Sequence, residues 1–215
     1  MTTESDMTAD RQRDPERTRQ EILDVAISEF ARHGYSGARV DEIAARTRTT
    51  KRMLYYYFGS KEQLYTAALE QVYSTARQAE RLDVEHLDPV SAIRTLAELT
   101  LDHHESHPDF IRMVAIENIH HGEFIARSAS LTELNSQALT VIARILDRGH
   151  ASGAFRRHPD AVDVHLMISA FCYFRMSNQY TFGALFGRDL LDPSMREHYR
   201  QMIGDMVVSY LTTGP

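Results

Sequence analysis

Val40–Lys61, VDEIAARTRTTKRMLYYYFGSK, decides the fold. It predicts two short helices, roughly Val40–Arg46 and Lys51–Tyr57. Between them Thr47-Arg48-Thr49-Thr50 is too short and too polar to be anything but a turn. Two short helices joined in this way make the helix-turn-helix plan, whose second helix lies in the DNA major groove. On that plan Lys51 and Arg52 open the second helix, where side chains reach base edges and Arg can grip guanine at O6 and N7. Thr50 can cap the helix and donate to a phosphate, and Met53 can pack on a thymine methyl. Leu54 and Phe58 turn back toward a core. Of the adjacent Tyr55, Tyr56 and Tyr57, at least one is expected in that core, and Tyr56 is the choice.

Charge is distributed to match. Over residues 32–61 there are seven Lys/Arg against two acids, a local net of +5, whereas residues 62–215 carry a net of −7 within an overall −6. A basic piece on an acidic body suits a localised DNA contact and argues against a protein that coats nucleic acid everywhere. Apolar content of 43% and charged content of 25% are those of a soluble globular protein. No run approaches a membrane span and no apolar signal segment opens the chain. The single cysteine, Cys172, rules out an internal disulfide framework and suits a reducing cytoplasm. Buried in an apolar helix, it reads as inert rather than redox-sensing.

Upstream of the decisive stretch, residues 1–13 read as a disordered tail. Asp14-Pro15-Glu16 is a helix start, and Ile22, Leu23, Ala26, Ile27 and Phe30 line one face until Gly34 ends the helix. Downstream, Ser60 with Gln63 reads as a capping box for a helix of about Lys61–Leu82, placed to act as a lever into the rest of the chain. Further helices are expected over about 88–107, 109–120, 124–149, 160–182 and 194–211, with no sheet. The fold class is therefore all-α: a three-helix helix-turn-helix domain over 14–60, then a helical ligand-binding and dimerisation domain over 61–215, about nine helices in all.

The two last helices are apolar on nearly every side, which one small core cannot satisfy. A second copy of the chain, packed through Val162, Leu166, Ser169, Tyr173, Met202, Met206 and Tyr210, is the simplest solution. Gly204 would allow close approach there, and the alternative is a thick monomer core.

With this layout the chain resembles the tetracycline-repressor (TetR) family of bacterial transcription regulators. The resemblance is carried by TRQEILDVAISEFARHGYSGARVDEIA and KRMLYYYFGSKEQLYTAAL, over about Thr18–Leu69, and is weaker afterwards. It implies that Tyr55 and Tyr57 face the DNA and that Lys61 takes a phosphate. Three positions depart from the family pattern: Arg48 where Gly is common in the turn, Thr49 where a small apolar residue is common, and Arg39 where Ser or Thr often caps. A non-Gly residue in a left-handed turn costs roughly 1 kcal/mol, and Arg39 and Arg48 can return that as phosphate contacts. The expected DNA-contacting set is then Arg39, Arg48, Thr50, Lys51, Arg52, Met53, Tyr55, Tyr57 and Lys61.

The resemblance also implies a small-molecule inducer in the C-terminal body. Candidate lining residues are Tyr73, Phe110, Met113, Ile116 and Glu117, with Phe171, Phe174, Arg175 and Asn178. Arg175 can meet an inducer carboxylate; the competing reading is an Arg175–Glu pair or a place in the dimer seam. His103 and His107 have the i, i+4 spacing of a zinc pair, and His120 and His121 could join it, but HHESH is polar and reads as a solvated helix end. No metal, catalytic residue or cofactor is expected. The expected function is a homodimeric, cytoplasmic, ligand-responsive repressor released from a palindromic operator. The competing readings are a helical metal-dependent enzyme and a dimeric adaptor that does not read DNA. A nucleophile elbow, a phosphate-binding glycine loop and a paired-carboxylate motif are all missing from the sequence, whereas salt-dependent DNA binding would separate the regulator from both.

Overall fold

Ten α-helices and no strand make up the described residues of the computed structural model, which are 15–80 and 86–214. The expected tail over 1–13, the Asp14 cap and the last residues of the expected lever helix lie outside them. The chain divides into two compact units, the first ending at Ala68 and the second starting at Leu69. The sequence reading divided it at residue 60.

The first unit holds α1 (Pro15–Gly37), α2 (Val40–Arg46), α3 (Lys51–Phe58) and the opening turns of α4 (Lys61–Glu80). α1 buries Ile22, Leu23, Ala26 and Phe30, the expected stripe. Its regular path stops at Gly34, whose φ of 68° is one that a side chain resists. α2 and α3 contribute Ile43, Leu54 and Phe58 to the same core. α4 completes it with Leu64 and Tyr65, whose ring meets the edge of Phe30 at 4.9 Å. Three helices are therefore not enough: Leu64, Tyr65 and Ala68 are all buried, so the core closes only with the start of the fourth.

In the second unit α5 (Pro89–Ser106) and α10 (Arg196–Thr212) form the central pair. Ala92, Ile93 and Leu96 meet Ile203, Val207 and Leu211 in one apolar cluster. Gly204 serves this pair: a Cβ there would stand 2.8 Å from the Arg94 guanidinium of α5, so the close approach expected against a second copy is made within the chain. Along the outer edge of the pair runs a ladder of ions, Arg94–Asp205 at 2.7 Å, Arg200–Glu98 at 2.8 Å and Arg196–Glu105 at 2.7 Å.

The remaining elements are α6 (Pro108–Ile119), α7 (Ala129–Ala151), α8 (Ala161–Ser177) and α9 (Gln179–Phe186). α7 starts later than expected. Ser128 accepts from the Leu131 N–H as its cap, and residues 125–127 form a separate 3-10 turn. The single helix expected over 160–182 is two, because the chain leaves helical geometry at Asn178.

α8 resolves the problem of a helix apolar all round. Its period of 3.6 residues distributes the side chains over three faces. Val164, Ile168 and Cys172 enter the core, His165, Ser169 and Tyr173 line a cavity, and Val162, Leu166 and Phe174 face outward, Leu166 being 62% exposed. Ser169 and Tyr173, expected at a dimer seam, thus stand on the cavity face instead.

Candidate functional site

The helix-turn-helix is held by a few local bonds. Thr47 Oγ donates to the carbonyl of Ile43, closing α2, and Arg48 turns the chain with φ 52°. Thr50 Oγ accepts from the Met53 N–H at 3.2 Å, starting α3. Ser60 Oγ accepts from the Gln63 N–H at 3.1 Å, starting α4. Arg39 precedes α2 without capping it through its side chain. Its backbone N–H instead donates to Glu29, a buried carboxylate of α1 that also faces Arg46 at 3.6 Å.

Sequence reasoning passed over Glu29. The signal was there: an acid at i+7 from Ile22 on the apolar stripe requires a partner.

With Leu54 and Phe58 anchored inside, α3 turns Lys51, Arg52, Met53, Tyr55 and Tyr56 outward. Lys51 is 3.3 Å from Asp41 across an exposed pair, worth less than about 1 kcal/mol. Tyr56 is 78% exposed, so its expected place in the core is wrong. Successive positions on a helix are 100° apart, and Leu54 and Phe58, four apart, already define the inward face. Tyr57 is half-buried and meets Tyr56 edge-on at 5.4 Å. Lys61 Nζ lies 5.0 Å over the Tyr35 ring; burial lowers its pKa, and Glu29 opposes the shift.

The second unit contains a cavity of about 290 Å³. α4 supplies Tyr73, Ala76 and Arg77, and α6 supplies Phe110, Val114 and Asn118. His104 of α5, Asn135 of α7 and the three α8 residues complete it. Tyr73 and Phe110 are edge to face at 5.3 Å.

Of the expected ligand-lining residues only Tyr73 and Phe110 stand at this cavity. Met113 is fully buried away from it, and Ile116 is not among the lining. Glu117 accepts from the Ile125 N–H at 3.2 Å. Phe171 packs against the α5–α10 core, Phe174 lies on the outer face, and Asn178 sits at the break after α8. Arg175 is buried and fully engaged: it donates to Glu105 at 2.7 Å and to the Leu190 carbonyl at 2.8 Å, and stacks over Tyr199 at 4.4 Å.

The histidines depart from expectation. His103 and His104 are 5% and 8% exposed, not part of a solvated helix end. They sit where α5 passes under Phe110, which covers both rings at about 5.5 Å. Burial, assisted by neighbouring histidines and Arg77, pushes the pKa of His103 down to about 3. Burial likewise takes His104 and His165 to about 4, so all three are neutral at pH 7. Burial also raises the pKa of Tyr73 and Tyr173, which stay protonated. Among the described residues no group of three or more His, Cys, Asp or Glu is arranged to hold a metal ion, and no helix is long and apolar enough to cross a membrane.

Residues 22–68 match the family described as bacterial regulatory proteins, tetR family, and residues 89–207 match the tetracyclin repressor-like C-terminal domain. The HTH-type transcriptional repressor NicS of Pseudomonas putida is 35% identical over 199 residues, 92% of this chain and 94% of that protein. The repressor SCO4008 of Streptomyces coelicolor is 38% identical over 112 residues, 51% of this chain and 54% of that one. The crystal structure of the transcriptional regulator SCO4942 from Streptomyces coelicolor superimposes with a TM-score of 0.70 at 29% identity, covering 90% of this chain and 98% of its own. Taken together with the helix-turn-helix and the all-helical second unit, these matches settle the family: the chain belongs to the TetR family of bacterial regulatory proteins, whose members are transcriptional regulators and not enzymes.

Proposed function

We propose that this protein is a repressor that holds a double-stranded DNA operator until a small molecule enters the cavity of its second unit. The observation that carries the DNA reading is the outward set on α3: Lys51, Arg52 and Met53 at its start and Tyr55 beyond, over the buried anchors Leu54 and Phe58. Lys51 and Arg52 read base edges, Met53 packs on a thymine methyl, and Tyr55 and Tyr57 reach phosphate or base. Arg39, Arg48, Thr50 and Lys61 hold the backbone. Tyr56, exposed rather than buried, adds a hydroxyl to the same surface.

A homodimer reading a palindrome is supported by the outward apolar stripe Val162, Leu166 and Phe174 on α8 and by exposed Met206 on α10, with Met202 and Tyr210 beside it. α4 is one continuous helix that carries Lys61 at its start and Tyr73 and Arg77 in the cavity wall. A ligand that favours one position of α4 would shift the population toward a state that fits the operator less well. Such a device works in the cytoplasm.

The test is a gel-shift series with the DNA upstream of its own and neighbouring genes, titrated with salt. Binding should fall steeply as salt rises. Arg52→Ala should relax sequence preference by about 1–3 kcal/mol at one base position. Absence of binding at low salt on every fragment would overturn the reading.

A further inference from the structure

We infer that the cavity of the second unit takes a flat ring bearing a hydroxyl or N–H on its edge, and that Nε2 of His104 accepts that hydrogen. This deepens the proposal that the cavity is the inducer site and rests on it.

Charge gives no class here. Arg77 of α4 and the buried Glu117 of α6 act on the Tyr73 hydroxyl in opposite directions, the first favouring its ionisation and the second opposing it. Hydrogen-bond polarity does give one. The hydroxyls of Tyr73, Ser169 and Tyr173 can turn to donate or to accept, so they fit either kind of ligand. His104 is fixed. Its Nδ1 lies 2.6 Å from the Thr100 carbonyl, one turn back on its own helix. A carbonyl only accepts, so Nδ1 carries the hydrogen and Nε2 of the neutral ring is an acceptor. Burial keeps the ring neutral, with its pKa pushed down to about 4.

That acceptor opens on the cavity. His104 is only 8% exposed and stands in the cavity wall. Among the described residues nothing donates to its Nε2, yet the atom is not sealed in protein as the unpaired Nε2 of His103 is. A buried acceptor costs free energy until something donates to it. Asn135 adds a second acceptor: its amide nitrogen donates to the Leu131 carbonyl at 2.9 Å, which leaves Oδ1. A ligand edged only with acceptors would meet lone pairs here.

The aromatic wall adjoins the acceptor. Phe110 stands nearly at right angles to both Tyr73 and His104, with centroids 5.3 and 5.4 Å away. A ring lying against Phe110 and Tyr73 therefore has its edge beside His104, which puts the donor on the ring itself rather than at the end of a chain. An apolar cavity of about 150 Å³ holds benzene. A cavity of about 290 Å³ has room for roughly a dozen non-hydrogen atoms, one substituted ring or a fused pair.

The experiment uses the full chain without DNA and three matched probe pairs: phenol and fluorobenzene, 2-naphthol and 2-fluoronaphthalene, indole and benzofuran. In each pair the second member keeps the shape and loses the donor. Binding is measured by calorimetry and by the shift in Tm. At least one donor-bearing probe should bind about tenfold or more tightly than its partner, which leaves a buried acceptor unpaired. His104→Leu should erase that preference while leaving the affinity of the donor-less probe nearly unchanged. His104→Gln, whose Oε1 reaches toward the place of Nε2, should retain part of it. In the unsubstituted chain the Nε2 nitrogen resonance of His104 should move when the donor-bearing probe binds and stay in place with its partner, which keeps the test open should a variant not fold. The inference is overturned if no donor-bearing probe binds, if the members of every pair bind alike, if His104→Leu keeps the preference, or if the resonance does not move. A gel-shift on the same samples separates the two claims. A probe that binds through His104 but does not release DNA leaves this inference standing and removes the inducer reading.

Discussion

The two units handle charge in opposite ways. In the first, cations are on the outside: Arg48, Lys51 and Arg52 are exposed, and the one buried acid among the described residues, Glu29, is satisfied by a backbone N–H and Arg46. In the second, two cations are inside: Arg77 and Arg175 are both nearly inaccessible, with His103 and His104 buried as well. An exposed cation is free to meet a partner as large as DNA. A buried one can meet only what the chain provides or what fits a cavity. Arg175 has its answer in Glu105 and the Leu190 carbonyl, and becomes part of the frame. Arg77 stands on a cavity wall.

The contrast can be broken most severely at Glu105. Removing it in Glu105→Ala leaves the buried Arg175 without its counter-charge and cuts one rung to Arg196. A loss of roughly 3–5 kcal/mol in unfolding free energy is expected, the cost of stranding a buried ion; denaturant titration measures it. Asp41→Ala, removing the exposed partner of Lys51 in the first unit, should change stability by less than about 1 kcal/mol. Equal effects would erase the distinction.

Acid should act on the second unit through its histidines. Their folded pKa values lie well below the unfolded value of 6.5. Below pH 6.5 the unfolded chain binds protons that the folded chain refuses, so stability is complete above that pH and falls as the solution is acidified toward pH 4. For the three histidines together a loss on the order of 2–4 kcal/mol between pH 7 and pH 5 is expected, since opening the cavity to water relieves part of the burial. Replacing His165 by Asn should flatten that slope; an unchanged slope would mean that carboxylates elsewhere carry it.

The smallest effect sharpens the first unit. Arg48 holds φ 52°, where glycine is comfortable. Arg48→Gly should change stability by about 1 kcal/mol or less, strain relief being partly cancelled by the freedom glycine gains when unfolded. If Arg48 meets a phosphate, the same variant should weaken DNA binding and reduce its salt slope by about one ion. Measured side by side, the two numbers tell turn geometry from charge.

What could be read in advance followed from local rules. Caps at Thr50 and Ser60, the stripe from Ile22 to Phe30 and the inward Leu54 and Phe58 each depend on neighbours a few residues away. What was misread depends on distant partners. HHESH looks solvated until Phe110 of the next helix covers two of its rings. Tyr56 looked buried only because three adjacent tyrosines were treated as a cluster rather than as three directions. Beyond Tyr73 and Phe110, the cavity lining fell outside the expected set because Arg77, His104, His165 and Asn135 come from four helices, and each alone resembles an ordinary polar residue.

The α5–α10 pair has a consequence in time. Its rungs join residues 91 to 111 positions apart, the longest being Arg94 to Asp205. Every residue of the first unit has been added by Ala68, so that unit can fold while synthesis of the second continues. The second unit must wait for nearly its whole length, its central helix without its mate until Arg196–Thr212 emerges. Such long closure slows folding and leaves apolar surface open meanwhile. The DNA-reading part of each nascent chain is thus finished before the part that would govern it exists.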